Sequence, residues 1–396
     1  MPVVLEPNFM QQQQQTARIN PSQGFGLVHS CDLTYDKIPI GAGGFGKVYR
    51  AHHKDWGDVA VKKVLDTEVP ERQMKELEKE ARKLGSISHA NIVRLIGVVM
   101  ETNEYALVMD YMSHGSLFDF VQDHEVPFPL LVQMIYQIIL GVNYLHTRNP
   151  AILHLDLKGQ NVLVNEDFNI KLCDFGLSQW RSYSRLYSKK RAPSRAGTAT
   201  HVSPIQWDDI NSQPNVKFDV YAFAIVVWEI LAKETPFKNA DVKLIGFSVS
   251  RGQRPDLNKI QVPHTEAWLR QIITDSWSQD PNMRPTFSDL KGRVDPIMQR
   301  YKLQIPAAKR QLSEECEAKA CDNGFIWNPE EGAANNLKMN CPKCLKGTCY
   351  GCKKHVVGSC TRDWKESNDP ELQAQGLAKH LEENGIGEPS VWRSPK

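Results

Sequence analysis

The sequence predicts an α+β fold: a two-lobed body, then a small two-metal unit and a C-terminal helix. Three observations carry this expectation. Strand-like patterns crowd the first part of the body and helix-like patterns the rest, an order that segregates sheet from helices. A glycine-rich turn stands among the first strands. Of the nine cysteines, all but Cys31 and Cys173 fall between Cys316 and Cys360, which sets that stretch apart as a unit. At 396 residues the chain exceeds one ordinary domain, since roughly 150 residues per domain implies two or three.

Taken in order, residues 1–30 carry the run Gln11 to Gln15 and little apolar periodicity, which predicts a disordered Gln-rich N-terminus. Residues 31–301 form the body. After the glycine-rich turn come a β-like run over 58–64 and a charged helical stretch over 70–84. Strands follow near 93–99 and 106–109, and helices over 132–146 and 219–231. Residues 302–315 read as a charged linker and 316–362 as the cysteine-rich unit. Residues 363–396 form a polar helical extension and tail, its helix over 369–383 stopped by Gly385 and Gly387.

With 48 basic and 46 acidic residues the formal net charge is +2, so no strongly basic surface is expected and nucleic acid is excluded on charge grounds. The apolar run over 223–232 is interrupted by Glu229 and is about half of the roughly 20 residues a bilayer span needs, so no membrane span is expected. The first residues show neither a basic segment nor a sustained apolar one, which predicts no secretory signal and a cytoplasmic, reducing setting. In that setting paired C-x-x-C spacing reads as metal binding rather than as disulfides.

The chemistry-bearing residues come in a fixed order. Gly41, Gly43 and Gly46, followed by Val48, fit G-x-G-x-x-G-x-V, a loop whose bare backbone lets N–H groups approach phosphates. Alone, such a loop is more often a structural turn. Lys62 then ends the apolar strand Val59-Ala60-Val61, where its ammonium can reach α and β phosphates, and Glu80 on the following helix can hold it as an ion pair. In HLDLKGQN, Asp156 can accept a substrate hydroxyl's proton, Lys158 can neutralise the transferring phosphoryl group, and Asn161 can ligate magnesium. Asp174, of Asp174-Phe175-Gly176, supplies a metal carboxylate. Phosphoryl transfer asks for positioning and charge neutralisation more than covalent chemistry, and this set supplies both.

In that order these motifs resemble the protein kinase signature, which implies a bilobal protein kinase fold, ATP and magnesium as cofactors, and protein substrates. The resemblance implies that Ile40, Gly41, Ala42, Gly43, Gly44, Phe45, Gly46 and Val48 close over the nucleotide. It also implies that Ala60, Met109, Asp110, Met112 and Leu163 enclose adenine, with Met109 the gatekeeper and Asp110, Tyr111 and Met112 the hinge. Lys158 and Gly197-Thr198 resemble serine/threonine rather than tyrosine kinases. DFGLSQWRS, FDVYAFAIVVWEIL, RGQRPDL and WSQDPNMRPTF resemble the receptor-interacting protein kinases of the tyrosine-kinase-like group, and HLDLK also resembles the Mos kinases. Asp219 matches the aspartate that braces the catalytic loop.

Two positions depart from the family pattern. Leu155 replaces the H-R-D arginine, making the chain a non-RD type and predicting only modest dependence on phosphorylation of Ser182, Ser184, Ser188, Ser194, Thr198 or Thr200. Ser203-Pro204-Ile205 replaces A-P-E, so Arg284 loses its usual glutamate and is expected to need Asp208 or Asp209 instead. Beside Asp174, Cys173 reads as a small packed residue before a redox switch. Arg181, Arg185, Lys189, Lys190 and Arg191 read as a solvated face, with an acidic substrate dock as the minority reading.

Cys316, Cys321, Cys341, Cys344, Cys349, Cys352, His355 and Cys360 make eight soft or imidazole ligands, enough for two closed, structural zinc sites. The run CDNGFIW, CPKCLKGTCYGCKKH and the helix that follows resemble the in-between-RING domain of RING-between-RING ubiquitin ligases, especially the linear-ubiquitin ligase's catalytic subunit. That resemblance implies ubiquitin or ubiquitin-ligase components as partners. It departs at Cys316 and Cys321, spaced C-x4-C, and shows no second RING after Gly387, so ligase activity is not expected of the chain alone. The leading expectation is a serine/threonine kinase bearing a structural zinc module; the alternative is a catalytically weak scaffold in ubiquitin-linked signalling.

Overall fold

The computed structural model describes residues 26–43, 46–65, 81–82, 84–101, 104–174, 199–208, 212–238, 240–260, 267–322, 348–349 and 354–355. The chain divides into two units, one of residues 1–122 and 132–300, the other of residues 123–131 and 301–396.

The first unit opens with a seven-stranded sheet made of β1 (Gly26–Val28), β2 (Leu33–Tyr35), β3 (Gly41–Gly43), β4 (Gly46–His53), β5 (Gly57–Leu65), β6 (Leu95–Glu101) and β7 (Glu104–Asp110). Its order is β1-β6-β7-β5-β4-β2, with β3 paired to β4, and every pairing is antiparallel except β1 with β6. Central β5 carries Val59, Ala60, Val61 and Lys62, all buried, so its run of apolar residues reflects cover on both faces. One face closes over a core of Val28, Leu33, Val59, Val61, Val99 and Val108.

Residues 26–28 were expected in a disordered N-terminus, and here the structure differs. Gly26, Leu27 and Val28 pair with Gly97, Val98 and Val99. Gly97 explains the docking: a Cβ there would lie 2.4 Å from Val28 Cγ2 and 2.8 Å from the Gly26 carbonyl oxygen. Bare backbone at Gly97 therefore admits the strand, and Val28, 1% exposed, joins the core.

The helical part contains α1 (Leu117–Asp123), α2 (Phe128–His146), the hairpin of β8 (Val162–Val164) with β9 (Ile170–Leu172), α3 (Pro204–Asp208), α4 (Val216–Ala232), α5 (Val242–Ser250), α6 (Ala267–Ser276) and α7 (Phe287–Tyr301). Helix α4 is buried from Phe218 to Leu231, which fits its apolar character on every side. Asn215 caps it by accepting the Lys217 N–H at 2.9 Å. Among the described residues α2, of 19 residues, is the helix long and apolar enough to cross a membrane; 61% of the qualifying window is buried within the protein, as a core helix requires.

In the second unit, residues 302–315 were expected as a linker. They run instead into one helix, α8 (Ile305–Asp322), a stretch rich in Ala, Glu, Lys, Arg and Gln that favours helix. Ala308 and Leu312, four apart, are its buried stripe, and Glu315 accepts the Glu125 N–H at 3.1 Å. Phe128 and Tyr301 pack edge to face, centroids 5.8 Å apart. Beyond α8, β10 (Thr348–Cys349) and β11 (Lys354–His355) pair antiparallel, Thr348 opposite His355 and Cys349 opposite Lys354.

Candidate active site

The site lies where the sheet meets the β8–β9 hairpin. Lys62 faces out of β5 with its neighbours filling the core, and its Nζ is 2.5 Å from Asp174 Oδ1 while only 7% of the residue is exposed. Glu80, the expected partner of Lys62, falls outside the described residues. Asp174 is set by β9, which is itself fastened from both sides. Val93 N–H donates to the Leu172 carbonyl at 2.9 Å, Leu172 N–H to Asn91 at 2.9 Å, and the buried Asn91 Nδ2 to Ile170 at 3.0 Å.

The catalytic-loop residues converge on the same place. Asn161 Nδ2 donates to the Asp156 carbonyl at 2.7 Å and to Asp156 Oδ2 at 2.9 Å. Lys158 Nζ donates to Asp156 Oδ2 at 3.1 Å. Cys173 N–H donates to the Asn161 carbonyl at 2.9 Å, which fastens the residue before Asp174 to the loop carrying Asp156. Four of the sequence-derived candidates, Lys62, Asp156, Asn161 and Asp174, thus belong to one connected cluster. Both protons of the Asn161 amide point at Asp156, so its Oδ1 is presented as an acceptor, and Asp174 Oδ2 lies beside the oxygen that holds Lys62. An amide oxygen and a carboxylate are the hard donors magnesium takes.

Asp219 fixes the loop's shape. Its Oδ2 accepts the His154 N–H at 2.8 Å and its Oδ1 the Leu155 N–H at 2.8 Å, while His146 Nε2 sits 2.8 Å from Oδ2. Leu155 and Asp174 both occupy the left-handed region, at φ 59° and 56°. Burial holds the His154 imidazole below its ordinary range, so it stays neutral at physiological pH. Burial, then the Asp174 charge, pushes the Cys173 thiol far above the ordinary thiol range, which keeps it protonated and unreactive.

The expected nucleotide-facing residues line the sheet around this cluster. Gly41 pairs with Val48, and Ala60 stands opposite Met109 across β5 and β7. Gly46, at φ 122°, needs a residue without a Cβ. Ile40 is 49% exposed with its N–H donated to Val48 at 2.8 Å, and Met112 is buried. Leu163 lies in β8; Gly44 and Phe45 fall outside the described residues. The Asp110 carboxylate is engaged by Lys171 Nζ at 2.5 Å and Arg94 at 3.3 Å, and its N–H donates to the Arg94 carbonyl at 3.2 Å. Sequence reasoning missed that role of Lys171, along with those of Glu229 and His201 described below.

Arg284 corrects the expectation of a carboxylate partner. Buried to 1% exposure, it donates to the carbonyls of Ser278 at 2.8 Å, Lys217 at 3.0 Å and Gln279 at 3.4 Å, and lies over the Tyr221 ring. Among the described residues Asp208 is exposed and makes no ion pair with it; Asp209 falls outside them. Burial lowers the guanidinium to about 10, so it is still charged at neutral pH, held by neutral oxygens.

The expected zinc ligands fare differently. Cys341, Cys344, Cys352 and Cys360 lie outside the described residues, as do Phe175, Gly176, Gly197, Thr198 and the basic run from Arg181 to Arg191. Cys316 and Cys321 both belong to α8.

A lysine and an aspartate in contact behind a glycine-rich hairpin, beside a loop that presents a second aspartate and an asparagine, are the arrangement of a phosphotransferase of the protein kinase fold. A family model described as protein tyrosine and serine/threonine kinase matches residues 35–294, and the chain belongs to that family. Its kinase domain is of the receptor-interacting, serine/threonine kind. It is 34% identical over 284 residues to receptor-interacting serine/threonine-protein kinase 2 of Bos taurus, covering 68% of this chain and 52% of that protein. Against the human receptor-interacting serine/threonine-protein kinase 1 it is 34% identical over 278 residues, 66% of this chain and 40% of the relative. The rat receptor-interacting serine/threonine-protein kinase 3 is 30% identical over 339 residues, 82% of this chain and 68% of that one. The chain spans about half or less of the length of several curated relatives it matches.

Proposed function

We propose that this chain is a non-RD serine/threonine protein kinase that transfers the γ-phosphoryl group of ATP to serine or threonine hydroxyls of proteins. The observation that carries the reading is the 2.5 Å contact of Lys62 with Asp174, fastened to the Asp156–Asn161 cluster through the Cys173 N–H. In this reading Asp156 orients the incoming hydroxyl and takes its proton, and Lys158, 3.1 Å away, offsets charge on the transferred group. Lys62 holds the nucleotide's phosphates. Asn161 Oδ1 and the Asp174 carboxylate would hold magnesium, which supplies charge neutralisation across the phosphates when bound. Lys158 and the Gly197-Thr198 sequence support hydroxyl side chains of Ser and Thr as acceptors. The test is incorporation of labelled phosphate from ATP and magnesium by the wild type and by Asp156→Asn. Incorporation by the wild type alone supports the enzyme, and none by either supports the second reading.

That second reading is a catalytically weak, cytoplasmic kinase-fold scaffold, favoured by Leu155 and Ile205 standing where the family has arginine and glutamate. In both readings Cys316 and Cys321 of α8, with residues beyond it, form a zinc unit resembling an in-between-RING domain and engage ubiquitin or ubiquitin-ligase components. The paired C-x-x-C spacings of Cys341 with Cys344 and Cys349 with Cys352, followed by His355 and Cys360, support this reading. Zinc there would be a cross-link for a unit too small to hold a core. Two zinc ions per chain by elemental mass spectrometry support this, and titration of labelled ubiquitin chains onto the full chain with no saturable signal would refute the partner.

A further inference from the structure

Glu229 lies near the end of α4 among apolar residues and is 1% exposed. A carboxylate so placed is costly unless it is paired. Both of its partners meet the same oxygen: the Gly159 N–H donates to Oε2 at 3.1 Å, and His201 Nε2 lies 3.2 Å from it. The His201 approach is close but off the line of a full hydrogen bond. An oxygen already accepting from Gly159 favours a proton on Nε2. At the other side of the ring, Thr200 Oγ1 is 2.9 Å from Nδ1, and a hydroxyl can donate or accept there.

These contacts join two segments far apart in sequence. Gly159 directly follows Lys158 and stands between Asp156 and Asn161. A Cβ at Gly159 would lie 3.0 Å from Glu229 Oε2 and 2.9 Å from Phe118 Cβ, so the glycine is what lets the loop rest on the carboxylate. His201, 6% exposed, follows Gly197-Thr198 at the end of the activation segment and precedes Ser203-Pro204. Neither His201 nor Glu229 is near enough in sequence to Asp156 to be fixed by local geometry.

We infer that His201 is a positioning residue: through Glu229 it holds the end of the activation segment in register with the Asp156–Asn161 loop, and so sets where a protein substrate's hydroxyl meets Asp156. The inference rests on the kinase reading and goes beyond it. Its signature is selective, because the Lys62–Asp174 side of the site is untouched: catalysis toward the protein substrate depends on His201, and the use of ATP does not.

The experiment assays the full chain with dephosphorylated casein and magnesium ATP, comparing His201→Gln with His201→Asn. The glutamine amide reaches toward Glu229 in place of Nε2, whereas the asparagine amide reaches only the Thr200 side. The glutamine variant is expected to keep kcat/KM for casein within about twofold and the asparagine variant to lose about tenfold, with the KM for ATP unchanged in both. Equal values for the two variants, or a KM for ATP that rises with the loss, overturn the inference. If melting curves show that the His201 variants do not fold, Glu229→Ala, which removes the oxygen that His201 and Gly159 share, reads the same contact, and casein kcat/KM equal to wild type overturns the inference. Asp156→Asn is the blank. No incorporation by the wild type sinks the kinase reading and this inference together, while an active wild type with an unaffected asparagine variant sinks the inference alone.

Discussion

Asp219 Oδ1 accepts the backbone N–H of Leu155 at 2.8 Å and holds that leucine at φ 59°, a left-handed conformation that costs a non-glycine residue about 1–3 kcal/mol. The strain is local and the restraint is remote, since Asp219 comes from α4. The loop bearing Asp156 therefore takes its shape from the core helix and needs no arginine at position 155 to do so.

Asp219→Asn tests that dependence. An amide has one acceptor oxygen, so either the His154 or the Leu155 N–H would face an NH2 group in a site 1% exposed. Urea unfolding is expected to show a loss of about 2–3 kcal/mol, with phosphate transfer falling alongside. An unfolding midpoint equal to wild type would show that the loop holds its conformation without Asp219.

Arg284 gives a second prediction. Three carbonyls already accept from its guanidinium, so restoring the family residue with Ile205→Glu is expected to bring no stability. Arg284→Ala, which strands those carbonyls, is expected to cost about 3 kcal/mol. A gain above about 1 kcal/mol for Ile205→Glu would mean that the carbonyl set is a poor substitute for a carboxylate.

The N-terminal strand gives a third. Gly97→Ala places a Cβ within 2.4 Å of Val28 Cγ2, so β1 must lift from β6. The expected cost is about 1–3 kcal/mol, with faster hydrogen exchange along Gly26–Val28 and phosphate transfer retained. Unchanged exchange there would mean that the sheet edge yields without releasing the strand.

Much of the site was legible because its chemistry restricts residue type. Lys62 at the end of Val59-Ala60-Val61, Asp156 and Asn161 in HLDLKGQN, and Asp174 before Phe-Gly each stand at a position where few side chains would serve, and their order along the chain is as informative as their identity. What escaped was decided by tertiary contacts. A strand of Gly26, Leu27 and Val28 is too short to show a period, and only the bare edge at Gly97 makes it a strand. The charged run after Tyr301 looks like a linker because the buried stripe of α8 is just Ala308 and Leu312. Glu229 looked like an interruption in an apolar run; its meaning depends on Gly159 and His201, which lie 70 and 28 residues away. The oxygens that hold Arg284 are backbone, and no side-chain pattern records them.

The most direct measurement separates binding from transfer at the shared cluster. Titration of a fluorescent ATP analogue with magnesium, run beside phosphate incorporation, is expected to give Asp156→Asn wild-type nucleotide affinity and no transfer. Lys62→Met and Asp174→Asn are each expected to weaken binding about tenfold or more, and Asp174→Asn to abolish its magnesium dependence. Full transfer by Asp156→Asn, or magnesium-dependent binding unaltered by Asp174→Asn, would contradict the assignment of these residues to one phosphate-transfer site.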